Sequence, residues 1–223
     1  MIIRILAKRL HKLTGKGKAI IVFGARQVGK TTMLHDVFKN ENDNVLWLNG
    51  DEPDVRAMFE NATSMRLNAI IGSKKIVVID EAQRIADIGI ALKLIVDNRP
   101  DVQVVATGSS SFDLANNINE PLTGRKNEML LFPLSFAELA AHNGLLEETR
   151  LLEHRLLYGS YPDVVNNMGE ERDILRQLAD SYLYKDILAL DKIKKNEKIV
   201  KLLQAIAFQI GSEVSFNELA QTC

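Results

Sequence analysis

The sequence predicts an α/β fold, a parallel sheet covered by helices, followed by an all-helical region. Three observations predict it. Strand-like and helix-like patterns alternate through the first two-thirds of the 223 residues, as parallel strands joined by crossover helices require. The apolar run Ala19-Ile-Ile-Val-Phe23 leads straight into Gly24-Ala-Arg-Gln-Val-Gly-Lys-Thr31, a G-x-x-x-x-G-K-T loop between a strand and a helix. After Pro133 the apolar spacing becomes that of helices throughout.

Residues 18–23 read as the first strand and residues 30–40 as a helix. Val45-Leu-Trp-Leu-Asn49 is the second strand, and Pro53 begins a helix running toward Ile71. Residues 75–80 form the third strand, apolar on both faces and therefore central. Residues 84–98 are helical up to Asn98-Arg99-Pro100. Residues 102–107 make the fourth strand, and residues 127–132 the fifth, closed by Pro133. Helical spacing then recurs over 136–139, 150–158, 173–190 and 197–210, interrupted by the turn Gly159-Ser-Tyr-Pro162. Ser215, with Glu218 three residues later, is a capping box. The stretch around it reads as the opening of a winged helix-turn-helix. Its recognition helix and wing do not follow, so the chain is expected to be a piece of a longer protein. Three regions result: a loop-bearing core over 1–133, a helical region over 134–208 and the start of a truncated winged helix over 209–223.

Composition narrows the class. With 46% hydrophobic and 26% charged residues, the chain is an ordinary globular one. A net charge of −1 gives no global pull toward nucleic acid or membrane. The single cysteine, Cys223, excludes an internal disulfide and fits a reducing compartment. No apolar run is long enough to span a membrane, and Met1-Ile-Ile-Arg4 opens no signal peptide. The expected location is cytoplasmic.

The chemistry gathers at strand ends. In the glycine loop, residues Gly24, Ala25, Arg26, Gln27, Val28 and Gly29 let backbone N–H groups converge on phosphate oxygens. Lys30 reaches the β- and γ-phosphates, Thr31 offers its hydroxyl to Mg²⁺, and Thr32 continues into a helix whose N-terminus favours the same anion. Asp80 ends the third strand and is placed to hold Mg²⁺ through its water shell. Glu81 beside it is placed to polarise an attacking water. Thr107 or Ser109, at the end of the fourth strand, can orient that water; Ser110 and Ser111 read better as helix-capping serines. Arg125, before the fifth strand, is a candidate for γ-phosphate contact in its own or a neighbouring subunit, with Arg26 competing for that role. His11, His35, His142 and His154 share no metal-ligand spacing and read as surface or packing residues. The lysines at 192, 194, 195 and 198 form a modest basic cluster, by default a solvated helix end.

With these residues in hand, the chain resembles a family of prokaryotic AAA-type ATPases that carry an ATPase domain followed by a C-terminal domain of unknown function. The resemblance rests on Gly24-Ala-Arg-Gln-Val-Gly-Lys-Thr-Thr32, Val78-Ile-Asp-Glu-Ala-Gln83, Thr107-Gly-Ser-Ser-Ser111 and Leu122-Thr-Gly-Arg125. It continues through Leu131-Phe-Pro-Leu-Ser-Phe136, Gly159-Ser-Tyr-Pro-Asp163 and Tyr182-Leu-Tyr-Lys-Asp-Ile187. It implies a P-loop NTPase fold with a five-stranded parallel sheet in the order 5-1-4-3-2, a helical lid and a winged helix. It also implies that Tyr161 and Pro162, in the lid turn, lie near the adenine. The implied ligands are ATP, ADP and Mg²⁺. The implied partners are DNA or protein, reached through a missing C-terminal region, and further copies of the chain. The expected function is ATP hydrolysis as a conformational switch. The alternatives are a DNA-associated regulator using ATP as a structural or switching ligand and, more distantly, a small-molecule kinase.

Overall fold

The computed structural model describes residues 1–41, 43–109, 121–180 and 196–222. They fall into two compact units, Met1–Arg172 and Asp173–Cys223.

The first unit is built on a five-stranded sheet. Its strands are β1 (Ala19–Phe23), β2 (Val45–Asn49), β3 (Ile76–Asp80), β4 (Gln103–Gly108) and β5 (Lys126–Leu130). All pairs are parallel, and the spatial order is β2-β3-β4-β1-β5. This is the order 5-1-4-3-2 implied by the family resemblance. Alternation along each strand splits the side chains between two cores. Ile21, Val77, Ile79 and Val104 face α3 (Pro53–Phe59), α4 (Ser64–Ile71) and α5 (Ile88–Asn98). Ile20, Val22, Val78 and Val105 face α1 (Ile5–Leu13) and α2 (Lys30–Phe38). The central strands are therefore apolar on both sides, as a buried parallel sheet demands.

The helix expected from Pro53 to Ile71 is two helices. Asn61 takes a left-handed conformation, φ 51°, and breaks the run. The Arg66 guanidinium donates to the Ala57 and Glu60 carbonyls at 2.7 and 2.9 Å, closing α3, while the Thr63 hydroxyl accepts the Arg66 amide and opens α4. The helix expected over 84–98 likewise starts late: a 3-10 turn at Ala82–Arg84 precedes α5, with Asp87 at φ 50° between them. The fifth strand ends two residues before its expected limit.

Residues 134–172 also belong to the first unit. They carry α6 (Phe136–Asn143), α7 (Leu145–Arg150), α8 (Leu152–Tyr158) and α9 (Pro162–Asn166). Ser135 and Glu138 form a reciprocal capping box at the start of α6. The Leu134 amide donates to the Ser160 carbonyl at 2.9 Å, tying the turn at residues 159–162 to the exit of the sheet. Leu134, Leu139 and Val165 make a small core, with Ile2 packed against it. Helix α10 (Glu171–Leu178) starts in this unit and ends in the next.

The second unit holds α11 (Asn196–Phe208) and α12 (Phe216–Thr222), which pack on each other. Ser215 accepts the Glu218 amide at 3.4 Å, the expected cap of α12. Lys192, Lys194, Lys195 and the segment 182–187 lie outside the described residues. Among the described residues, no helix is long and apolar enough to cross a membrane.

Candidate functional site

Parallel strands bring their C-terminal ends to one edge of the sheet, where loops can converge. Strand register decides which side chains meet there. Val22 pairs with Thr107, Ile79 with Ala106 and Asn49 with Asp80. The glycine loop after β1, Asp80 after β3 and Thr107 on β4 thus become neighbours, although they come from three distant stretches of sequence.

Within the loop, Gly29 has φ 93° and caps α2, a conformation that side chains resist. Lys30 is the first residue of that helix and is 5% exposed. Its ammonium donates to the Gly24 and Ala25 carbonyls at 2.8 and 3.0 Å. Those bonds fold the side chain back over the loop. Thr31 Oγ1 donates to Asp80 Oδ2 at 2.7 Å. Asp80 Oδ1 accepts from the Thr107 hydroxyl, and the Glu81 amide reaches Asp80 Oδ1 and Thr107 Oγ1 at 3.2 Å each. One carboxylate therefore links the loop, β3 and β4. Thr107 is fully buried, so this hydroxyl is part of the frame of the site. A hydroxyl and a carboxylate side by side are hard oxygen donors, the set that suits Mg²⁺. Glu81 has φ 49° and ψ 42°, which turns its side chain out of the strand line, and Gln83 Nε2 donates to Glu81 Oε2.

Beside the loop lies a cleft of about 210 Å³ lined by Ile2, Arg4, Gly29, Thr32, Leu134 and Pro162, among others. A Cβ added at Gly29 would stand 3.9 Å from Pro162 Cγ, so the turn at residues 159–162 and the loop are close. Tyr161 is half-buried outside this lining; burial raises its phenol pKa, and its carbonyl accepts the Val165 amide at 2.9 Å as α9 starts.

A family model described as an AAA domain matches residues 16–140, more than half of the chain. The chain belongs to this AAA family. A second model, a domain of unknown function (DUF8612), matches residues 149–223, so the AAA domain is followed by that domain. An uncharacterized protein of Methanocaldococcus jannaschii is 23% identical over 220 residues, covering 91% of this chain and 49% of its own length. One of Mycobacterium tuberculosis is 32% identical over 126 residues, covering 53% of this chain and 26% of its own length. The chain thus spans about half of the first relative and about a quarter of the second. Among solved structures, Drosophila ORC bound to DNA aligns with a TM-score of 0.43 at 12% identity, over 60% of this chain and 93% of that one. The P-loop NTPase domain of an E. coli sigma-54 activator aligns with a TM-score of 0.42 at 14% identity, over 58% and 94%.

Of the residues expected to form the site, the AAA domain brings together Lys30, Thr31, Asp80, Glu81 and Thr107, and Pro162, beyond that domain, lies against Gly29. The domain does not bring Arg125 to its own loop. The Arg125 carbonyl accepts the Ala19 amide at 2.9 Å, which places it at the N-terminal end of β1 and β5. The loop leaves the other end of β1, about 13 Å away at roughly 3.3 Å per residue. There Arg125 Nε donates to Asp97 Oδ1 at 2.6 Å. Own-subunit contact between Arg125 and a γ-phosphate is therefore excluded in this conformation. Ser110 and Ser111 lie outside the described residues. Three residues packed against this arrangement were not expected from the sequence: Arg4, Gly50 and Gln83. Gln83 stood inside a quoted motif, but the signal for the other two is spatial. Of the histidines, His35 stacks on Trp47 with centroids 3.9 Å apart, His154 Nε2 lies 3.0 Å from Glu171 Oε1, and His11 and His142 are exposed, His142 at the cleft. Among the described residues, no three His, Cys, Asp or Glu side chains cluster as a metal site.

Proposed function

We propose that the chain binds ATP and hydrolyses it to ADP and phosphate, and that the two nucleotide states act as a conformational switch. The observation that carries this reading is the Thr31–Asp80–Thr107 hydrogen-bond chain with Glu81 on the next residue. A metal-binding acid and a water-activating acid stand together at the mouth of a phosphate loop, which favours hydrolysis over transfer to a small acceptor.

Lys30 swings from the Gly24 and Ala25 carbonyls onto the β- and γ-phosphate oxygens, while the loop amides hold the same phosphates. Thr31 and Asp80 would hold Mg²⁺, which would supply neutralisation of the phosphate charge. Glu81 accepts the proton of a water whose oxygen attacks the γ-phosphorus; the bond to the bridging oxygen breaks, leaving ADP and phosphate. Thr107 keeps the Glu81 backbone and the Asp80 carboxylate in register. The cleft between Ile2 and Pro162 takes the nucleoside. Arg125 serves the site of a neighbouring copy, because its own loop is at the far end of the sheet.

The test is direct. Lys30→Ala abolishes ATP binding in isothermal titration, and Glu81→Gln retains ATP but releases no phosphate. A wild-type chain without ATP affinity overturns the proposal, and radiolabel moving to an acceptor in place of water replaces it with a kinase. The DNA-associated regulator draws on the Ser215-capped α12 packed on α11. Salt-dependent DNA binding by the full-length protein with negligible turnover would favour it.

A further inference from the structure

Arg4 lines the cleft beside the loop, and the chemistry proposed above makes no use of its charge. It is 7% exposed, and every branch of its guanidinium is engaged. NH1 donates to the Val28 carbonyl at 3.0 Å, NH2 donates to the Phe132 carbonyl, and Nε donates to Glu138 Oε1 at 3.3 Å. These partners lie in the glycine loop, just past β5, and in the first turn of α6. The same Glu138 carboxylate accepts the Ile5 amide at 2.7 Å and the Ser135 amide at 2.9 Å, which fixes its position.

The contact with Val28 has a geometric consequence. A peptide unit is planar and trans, so its C=O and N–H point in opposite directions. Holding the Val28 carbonyl on Arg4 aims the Gly29 N–H away from the guanidinium. A phosphate loop works only when its amides point inward and its carbonyls are satisfied elsewhere. Lys30 satisfies two of those carbonyls, Gly24 and Ala25; Arg4 satisfies a third from outside the loop. The Val28–Gly29 peptide is also where pinning matters most, since Gly29 has the least steric restraint on its rotation.

We propose that Arg4 is a positioning residue for the phosphate site, acting through the Val28–Gly29 peptide to keep the Gly29 amide aimed at a phosphoryl oxygen. This rests on the nucleotide-binding reading above and extends it to a residue outside the loop. Lysine does not substitute, because a point ammonium cannot span three carbonyl and carboxylate partners as a planar fork does. A simple charge effect would survive Arg4→Lys; peptide orientation would not.

The experiment compares wild type, Arg4→Lys and Ser135→Ala. Ser135→Ala removes the nearby helix cap, at about 1 kcal/mol, and leaves Arg4 on Val28, so it controls for stability loss alone. Affinity for Mg·ATP and for inorganic tripolyphosphate is measured by titration, beside the Tm of each unliganded variant. Arg4→Lys should weaken both ligands by about tenfold or more, the worth of one charge-assisted hydrogen bond, while Ser135→Ala stays within about threefold of wild type. Wild-type binding that Arg4→Lys leaves unchanged overturns this inference and spares the nucleotide reading. Losses that track Tm equally in both variants also overturn it. A wild-type chain that binds neither ligand overturns both.

Discussion

Gly50 follows β2 and lies against the backbone of the residue proposed to activate water. Its amide donates to the Asp80 carbonyl at 2.8 Å, and a Cβ there would collide with the Glu81 carbonyl oxygen. That obstacle is backbone, so the Asp80–Glu81 segment itself must move. Gly50→Ala should lower kcat for ATP at least tenfold while leaving ATP affinity within about threefold, since the glycine loop is not touched; phosphate release and titration on the same preparation check it. Lys30, Thr31, Asp80 and Glu81 were legible in the sequence because each stands in a short string whose chemistry depends on near neighbours. Gly50 and Arg4 were not, because their partners lie 24 and more positions away along the chain. An arginine in a basic N-terminal stretch looks solvated until its partners are known. Arg125 is a different case: standing before a parallel strand already puts it at the N-terminal edge of the sheet, opposite the glycine loop.

Among the elements, α6 carries the most electrostatic consequence. Burial pushes Glu138 toward neutrality, but the Ser135 and Ile5 amides and the Arg4 charge outweigh it and hold its pKa below the ordinary value. Glu148, against Arg155 and Asn143, and Glu171, against the Gly169 amide, its own amide and His154, are lowered as well. A carboxylate lowered in the folded state stabilises it above the unfolded pKa and loses that contribution as pH falls through the folded one. The Tm should therefore drop as pH falls below about 4.3, the ordinary glutamate value. Glu138→Gln should have a lower Tm at pH 7 and a shallower acid slope, both read by calorimetry from pH 7 to 3. An acid slope equal to wild type would show that Glu138 is not the group responsible. The elements themselves were mostly legible, since hydrophobic period and glycine-proline punctuation place five strands correctly. The split between α3 and α4 was not. It depends on Asn61 adopting a left-handed turn and on Arg66 reaching back to α3, neither of which alters the apolar spacing.

For the whole molecule, the sheet has a nucleotide edge and an opposite edge, and Arg125 marks the second. If Arg125 completes a neighbour's site, Glu81→Gln and Arg125→Ala copies should complement each other. Each variant alone should be inactive, and mixing them should restore part of the turnover, because mixed contacts pair an intact Glu81 with an intact Arg125. Turnover that is independent of protein concentration, with no rescue on mixing, would remove the proposed contact. The strand order could not be read from periodicity alone, which ranks no permutation of five parallel strands; it came with the resemblance to AAA-type ATPases, and the structure has that order.

The same order sets a timetable for synthesis. Among the described residues β1 pairs with β4 and β5 alone, so the strand that launches the glycine loop leaves the ribosome about a hundred residues before its second flanking strand. At roughly 5–20 residues per second that is a wait on the order of ten seconds. Until then the strand before the loop lacks one of its two neighbours, and until β4 emerges Asp80 has no Thr107 to hold it. A chain that stops before β4 carries the whole G-x-x-x-x-G-K-T string without Thr107, so the string alone does not complete the arrangement around Asp80.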